Sequence, residues 1–187
     1  MKCGLLGAKL GHSFSPQIHR HLGDYSYDLL EKCEESLSDF IKHSDYSGLN
    51  VTIPYKTTVI PYCDELTPVA KRLGAVNTIV RQQNGKMIGH NTDYFGFDTM
   101  LRSSGLAVSG KKVLVLGTGG TSKTAAAVLN DHDAQVVIVS RSGENNYTNL
   151  HLHKDAAVIV NTTPVGMFPK NGVTPLSLQR HGGRASL

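Results

Sequence analysis

Four groups of residues in this chain have types and spacings that could do chemistry. Lys56 ends the run Asn50-Val-Thr-Ile-Pro-Tyr-Lys56, and Asp93 ends Gly89-His-Asn-Thr-Asp93, where a helical stretch begins. An ammonium and a carboxylate brought together can pass a proton to or from a reacting hydroxyl. Held apart, Lys56 is a solvated lysine and Asp93 a carboxylate favoured by a helix N-terminus. Asn50 and Thr52 alternate with apolar Val51 and Ile53, so on a strand they share the face opposite the buried one. Ser13 and Ser15, in His12-Ser-Phe-Ser-Pro16, put two hydroxyls just ahead of a helix start, a turn that suits a carboxylate. Ser15 is equally an N-cap and Ser13 a turn residue on that feature alone.

The fourth group is Gly117-Thr-Gly-Gly-Thr-Ser122, with an apolar strand over 113–116 before it and a helical stretch over 123–129 after it. Strand, glycine turn and helix in that order open a dinucleotide-binding βαβ unit. Gly117 permits the tight turn, Gly119 lets backbone amides approach a pyrophosphate at the helix N-terminus, and Gly120 adds room. Ser122 stands where the commonest fingerprint has a third glycine, so the motif alone is also compatible with a loop that binds nothing. A second strand over 135–139 ends at Ser140-Arg-Ser142, where an NAD-specific unit places an acidic residue on the ribose. Arg141 offers instead a planar cationic fork for a 2′-phosphate, with Ser140 and Ser142 as hydroxyl donors, so the predicted cofactor is NADP. The alternative is a surface arginine at a strand end.

The elements that must position these groups follow from apolar periodicity and punctuation. Strands are predicted over 2–6, 25–30 and 49–53 with helices between them, the first starting at Ser15-Pro16 and running over 17–22. Residues 75–81 and 86–89 flank Asn84-Gly85, a strong hairpin signal. A helix over 93–102 with Phe97, Met100 and Leu101 on one face, stopped by Gly105, links two halves. A further strand is predicted over 156–160.

The chain has 187 residues, 40% of them hydrophobic, enough for one core or two small ones. Its apolar runs are strand-length, and its first residues lack an apolar targeting segment, so no membrane association and a cytoplasmic location are expected. The net charge of +4 is spread along the chain without a basic run, which argues against nucleic acid and suits a small anionic ligand. Cys3, Cys33 and Cys63 form no CxxC pair and read as reduced structural thiols. His151 and His153 have metal-ligand spacing but no third ligand nearby in sequence, so they read as exposed linker histidines and no metal is expected.

Taken in order, these segments, from Ser13 through Asn161-Thr-Thr-Pro-Val-Gly-Met167 and on to about Leu178, closely resemble shikimate dehydrogenases. The resemblance implies an α/β chain with an N-terminal α/β substrate-binding domain over 1–103 followed by an incomplete Rossmann-type dinucleotide-binding domain over 104–187. It implies NADP-dependent interconversion of shikimate and 3-dehydroshikimate, on the route to chorismate and the aromatic amino acids, with the two ligands meeting in a cleft between domains. Carried over by motif, Ser13 and Ser15 hold the substrate carboxylate. Asn50, Thr52, Asp93 and Asn77 of Gly74-Ala-Val-Asn-Thr78 read the ring hydroxyls, and Lys56 is catalytic, sharing the proton with Asp93. A lysine is ordinarily protonated at neutral pH, so it is a ready acid for ketone reduction, whereas acting as base calls for a relay or a perturbed environment. The cofactor set is Gly117, Thr118, Gly119, Gly120, Thr121, Ser122, Ser140, Arg141, Ser142, Thr162 and Met167, the last against the nicotinamide unless it is a core methionine.

The chain departs from that pattern in having only a short polar stretch, 143–149, where the family has a longer helical crossover. It departs again after Leu178, where the family continues through another strand and helices that supply a glutamine; Gln179 is not its counterpart. Reduced stability and turnover are expected from the shortened end. The rival readings are a binding remnant without turnover and a dehydrogenase of quinate or an amino-substituted ring. The state is expected to be monomer or homodimer.

Overall fold

The computed structural model describes residues 1–11, 13–168 and 170–177, with the backbone alone of 179–181 and 184–186. His12, Leu178 and the side chain of Gln179 lie outside the described residues. The chain divides into two units, Met1–Asp93 and Tyr94–Leu187. This division falls before the linker helix, whereas the sequence boundary falls after it. The reason is packing: Tyr94, Phe97 and Leu101 of that helix join Val113, Val115, Val128 and Leu129 in one cluster.

The first unit is a mixed sheet. Strand β1 (Lys2–Gly7) lies parallel between β2 (Ser26–Glu31) and β3 (Gly48–Val51). Parallel neighbours need crossovers, and helices α1 (Ser15–Leu22) and α2 (Leu37–His43) provide them. A two-residue strand β4 (Glu65–Leu66) and helix α3 (Pro68–Leu73) come next. The Thr67 hydroxyl caps α3 by accepting from the Ala70 N–H, and Gly74 ends it with φ 59°, a left-handed cap that glycine adopts without strain. Then β5 (Thr78–Arg81) and β6 (Met87–His90) form the hairpin predicted at Asn84-Gly85, giving the order β2-β1-β3-β5-β6-β4. Leu6, Leu37, Ile41, Val51, Val59 and Val76 form the core beneath.

Two local expectations are corrected. Ser15 is the first helical residue, not the N-cap; Phe14 occupies that position without a side-chain cap, because Ser15 is tied back to Ser13. Strand β3 stops at Val51, and Thr52 opens a turn through Pro54, so Asn50 alone of the alternating pair sits on the strand.

The second unit begins with α4 (Asp93–Ser103), whose first residue closes the first unit. Strand β7 (Lys112–Leu116) is flanked in parallel by β8 (Gln135–Val139) and β9 (Val158–Asn161), with α5 (Gly120–Asp131) between β7 and β8. Period two divides β7 between two layers. Val113 and Val115 pack with α4 and α5, while Leu114 and Leu116 pack with Val139, Leu176, Tyr147 and Leu150. The segment between β8 and β9 contains only a short 3₁₀ turn, Leu150–His153, so this turn and its aromatic neighbour cover the face that a crossover helix would. The order β8-β7-β9 puts the strand after β8 on the far side of β7, and the crevice at such a reversal lies at the carboxyl ends of the strands. The tail pairs Gln179–His181 (β10) with Arg184–Ser186 (β11) as an antiparallel hairpin. Among the described residues no helix is long and apolar enough to cross a membrane, and no cluster of His, Cys, Asp and Glu could hold a metal.

Helix α4 is pinned to α5 by polar contacts as well as apolar ones. Asp98 accepts from His132 Nε2 at 2.6 Å, at the C-terminal cap of α5, and from Arg102 Nε at 2.9 Å. The His132 and Arg102 hydrogen bonds hold the Asp98 carboxyl below its ordinary value of 3.8. A carboxyl whose pKa is depressed by folding contributes stability that is present above its unfolded pKa and lost as pH falls through the folded one. The unfolding midpoint of the protein should therefore exceed that of Asp98→Asn while the carboxylate is ionised, and the margin should shrink as pH falls through and below the ordinary carboxyl range. A margin independent of pH in parallel thermal melts would disprove the role of this carboxylate.

Candidate active site

Lys56 and Asp93 meet. Lys56 Nζ donates to Asp93 Oδ2 at 2.6 Å, and both side chains are partly exposed, at 25% and 40%. Thus the pair is accessible to a ligand while already sharing a hydrogen bond. Its placement is set by backbone contacts. The Lys56 carbonyl accepts from the Val76 N–H at 2.7 Å, which ties the turn after β3 to the approach to β5. Asp93 follows Thr92, whose N–H donates to Asn77 Oδ1 at 2.8 Å.

Asn77 is nearly buried, at 8% exposure, and its amide is turned inward: Nδ2 donates to Thr92 Oγ1 at 2.9 Å, and Thr78 Oγ1 donates to Oδ1 at 3.2 Å. Asn50 continues the row, its Nδ2 donating to Thr78 Oγ1 at 3.1 Å and its Oδ1 accepting from the Tyr27 hydroxyl at 2.7 Å. At the far end, Ser13 Oγ donates to Ser15 Oγ at 3.1 Å and accepts the Ser15 N–H at 3.2 Å. Burial pushes the Tyr27 hydroxyl up to about 12, against the opposing effect of a hydrogen bond with Ser15. One polar row therefore runs from Ser13 and Ser15 through Tyr27, Asn50 and Thr78 to Asn77 and Thr92, next to Asp93. The sequence reading missed Tyr27, Thr78, Thr92 and His19, which stacks on Tyr27. Tyr25 and Tyr27 alternate with polar Ser26 and Asp28, a period-two signal that puts Tyr27 on one face of its strand but does not bring it to Asn50 two strands away.

In the second unit the glycine turn has the geometry that an anionic ligand needs. Gly117 has φ 113°, and a Cβ there would stand 2.9 Å from Thr162 Oγ1. Gly119 and Gly120 border open space where side chains would project, and α5 begins there without a side-chain cap. These residues fit a dinucleotide pyrophosphate, whose charge is favoured by unpaired N–H groups at a helix N-terminus. Thr118 and Thr121 are at the surface, whereas Ser122 is buried and donates to the Gly117 carbonyl at 2.7 Å, bracing the turn from inside. Ser140 is also committed locally, its Oγ accepting from the Gly143 N–H at 2.7 Å. Arg141 and Ser142 are exposed beyond β8. Thr162 donates to the Leu116 carbonyl at 2.5 Å, and Met167 is 64% exposed, outside the apolar clusters of the described residues. A cavity of about 370 Å³ lined by Leu116, Ile159, Asn161, Val165 and Leu176 opens at the ends of β7 and β9.

A polar-faced α/β unit followed by a glycine-turn parallel α/β unit defines a two-unit protein of the dinucleotide-binding class. Residues 5–79 match the family model of the shikimate dehydrogenase substrate binding domain. A shikimate dehydrogenase (NADP(+)) of Clostridium beijerinckii is 37% identical over 194 residues, covering 93% of this chain and 72% of that protein. Among solved structures, shikimate dehydrogenase 1 from Peptoclostridium difficile superposes with a TM-score of 0.84 at 38% identity, over 94% of this chain and 72% of that one. A Thermus thermophilus shikimate 5-dehydrogenase in complex with NADP(H) and shikimate does so with a TM-score of 0.83 at 29% identity, over 95% and 73%. The chain belongs to the shikimate dehydrogenase family.

Because Gly117 combines a left-handed φ with a close approach to Thr162, Gly117→Ala should destabilise the protein by about 1–3 kcal/mol. Gly119→Ala, at an open position, should cost far less. Denaturant midpoints of the two variants measured side by side check this, and equal losses would contradict it.

Proposed function

We propose that this protein is an NADP-dependent shikimate dehydrogenase that interconverts 3-dehydroshikimate and shikimate, with Lys56 and Asp93 handling the proton. The observation that carries the reading is the 2.6 Å pair of Lys56 and Asp93 at the end of the polar row, in a chain of this family. Bound NADP supplies the hydride acceptor. Oxidising a secondary alcohol to a ketone removes a hydride from carbon and leaves the hydroxyl proton, which a protein group must take. Asp93 can draw a proton from Lys56 Nζ across their hydrogen bond, which frees the amine lone pair to take the hydroxyl proton, and the carboxyl then releases the drawn proton to solvent through its exposed side. In the reverse direction the lysine ammonium donates to the forming alkoxide, and Asp93 keeps it aimed.

Ser13 and Ser15 are suited to the substrate carboxylate, since each hydroxyl can turn its hydrogen from its neighbour to an anionic oxygen. Asn50, Thr52 and Asp93 are assigned to ring hydroxyls. Asn77 acts from within, its amide being engaged with Thr92 and Thr78. Gly117, Gly119 and Gly120 with the start of α5 are assigned to the pyrophosphate, Arg141 with Ser142 to the 2′-phosphate, and Met167 to the nicotinamide side. A guanidinium offers a phosphate two parallel hydrogen bonds, and no acidic side chain stands in its place in Ser140-Arg-Ser142 to repel the charge.

The direct test is shikimate oxidation followed by NADPH absorbance; a chain that neither turns over nor binds shikimate overturns the reading. Lys56→Ala should lower kcat by about a hundredfold or more while shifting shikimate affinity much less. Asp93→Asn should impair both, because the carboxylate serves both the lysine and a hydroxyl; unchanged kinetics in either variant would remove it from the mechanism. The preference for NADP over NAD should shrink on Arg141→Ala by about tenfold or more, with NAD kinetics little altered. Equal use of the two cofactors by the unsubstituted protein would dismiss Arg141 as the discriminator.

A further inference from the structure

The hydrogen bonds of the polar row have a determined direction, starting from one group that can only donate. The Thr92 N–H donates to Asn77 Oδ1, so that atom is the oxygen of its amide. Thr78 gives its hydroxyl hydrogen to the same oxygen and is left as an acceptor for Asn50 Nδ2. The other end of the Asn50 amide is then its oxygen, and the Tyr27 hydroxyl must donate to it. A carboxamide is nearly symmetric in shape, so which end is donor and which acceptor depends on partners such as these.

His19 packs against the Tyr27 ring and restrains it. The imidazole lies flat on the Tyr27 ring, with centroids 3.7 Å apart and planes 16° apart. Its Nδ1 is 2.6 Å from the Tyr25 hydroxyl, which fixes the ring plane from the side. Burial lowers the pKa of His19 against the opposing pull of a hydrogen bond with Asn50, which favours a neutral ring able to accept at Nδ1. His19 also lies one turn beyond Ser15 on α1, so the same helix carries one of the serines and the clamp.

We infer that His19 is a positioning residue: by stacking on Tyr27 and by its own hydrogen bond with Asn50 it fixes the orientation of the Asn50 amide and hence which hydrogen-bonding end the substrate meets. The consequence for substrate rests on the reading of the first unit as the shikimate-binding half. The consequence for Asn50 does not.

The test uses the full chain with His19→Ala, His19→Phe, Tyr27→Phe, Asn50→Ala and the His19→Ala/Asn50→Ala double variant. The side-chain amide resonances of Asn50 are followed by ¹⁵N NMR without ligand, and shikimate KM and kcat are measured at saturating NADP. His19→Ala should move the Asn50 amide resonances in the same direction as Tyr27→Phe. It should raise KM about tenfold, the loss of roughly one hydrogen bond, with kcat kept within about twofold. His19→Phe, which keeps a flat ring on Tyr27 but loses the hydrogen bonds with Tyr25 and Asn50, should recover the affinity only in part. In the Asn50→Ala background the His19 substitution should add almost nothing, since the group it acts through is gone. Unmoved Asn50 resonances, or a KM penalty of equal size in the Asn50→Ala background, would overturn the inference. If the unsubstituted chain does not bind shikimate, the substrate reading fails, while the Asn50 resonances still decide whether His19 positions that amide.

Discussion

The first unit depends on how Asn77 is tied. Its backbone carbonyl accepts from Val51 at the end of β3, its N–H donates to His90 at the end of β6, and its side chain holds Thr92. Three chain segments converge on one nearly buried residue, and two of them lead within a few residues to Lys56 and Asp93. Burying an amide without partners costs on the order of 1–3 kcal/mol per unmet group. Satisfying it this fully therefore fixes the geometry around it. The Lys56 and Asp93 pair gains little stability itself, because a partly exposed ion pair is screened by solvent. Its geometry is supplied by the network behind it.

In the second unit the equivalent constraint is space. The carboxyl end of β7 must turn sharply, leave open space at the start of α5 where the proposed pyrophosphate would sit, and pass close to Thr162. Gly117 meets the first and last requirements, and the openness at Gly119 and Gly120 meets the second. Ser122, standing where a third glycine is common, compensates by bonding to the Gly117 carbonyl, so a deviation from the fingerprint stabilises the turn. The short polar stretch after β8 is likewise ordered by its own side chains: Asn146 Oδ1 accepts from Thr148, Asn149 Oδ1 accepts from the Asn146 N–H, and Asn149 Nδ2 donates to the Glu144 carbonyl. These contacts, with Tyr147 and Leu150 turned into the apolar layer, let a loop stand in for a helix.

Much of this was legible in the residues. The apolar run of β7, the hairpin at Asn84-Gly85, the helix over α4 and the glycine turn all depend on interactions between near neighbours, whose patterning and turn chemistry are written locally. Lys56 and Asp93 were recognisable as candidates because one follows a strand and the other opens a helix. Where local logic conflicted with a tertiary contact, the contact prevailed. Ser15 gave up the capping position to bond with Ser13, and β3 stopped before Thr52 as the chain turned through Pro54.

Most of the longer elements, the glycine turn with its cationic strand end, and the residue types of the site could be read from the chain alone, because each reflects short-range preferences; β4 and α3 could not. The tertiary structure decided which polar groups touch: Lys56 with Asp93, Tyr27 with Asn50, Asn77 with Thr92, and His19 on Tyr27. The physical reason is that hydrogen-bond direction and ring stacking are set by distances between strands and helices far apart in the chain, and sequence spacing carries no record of them.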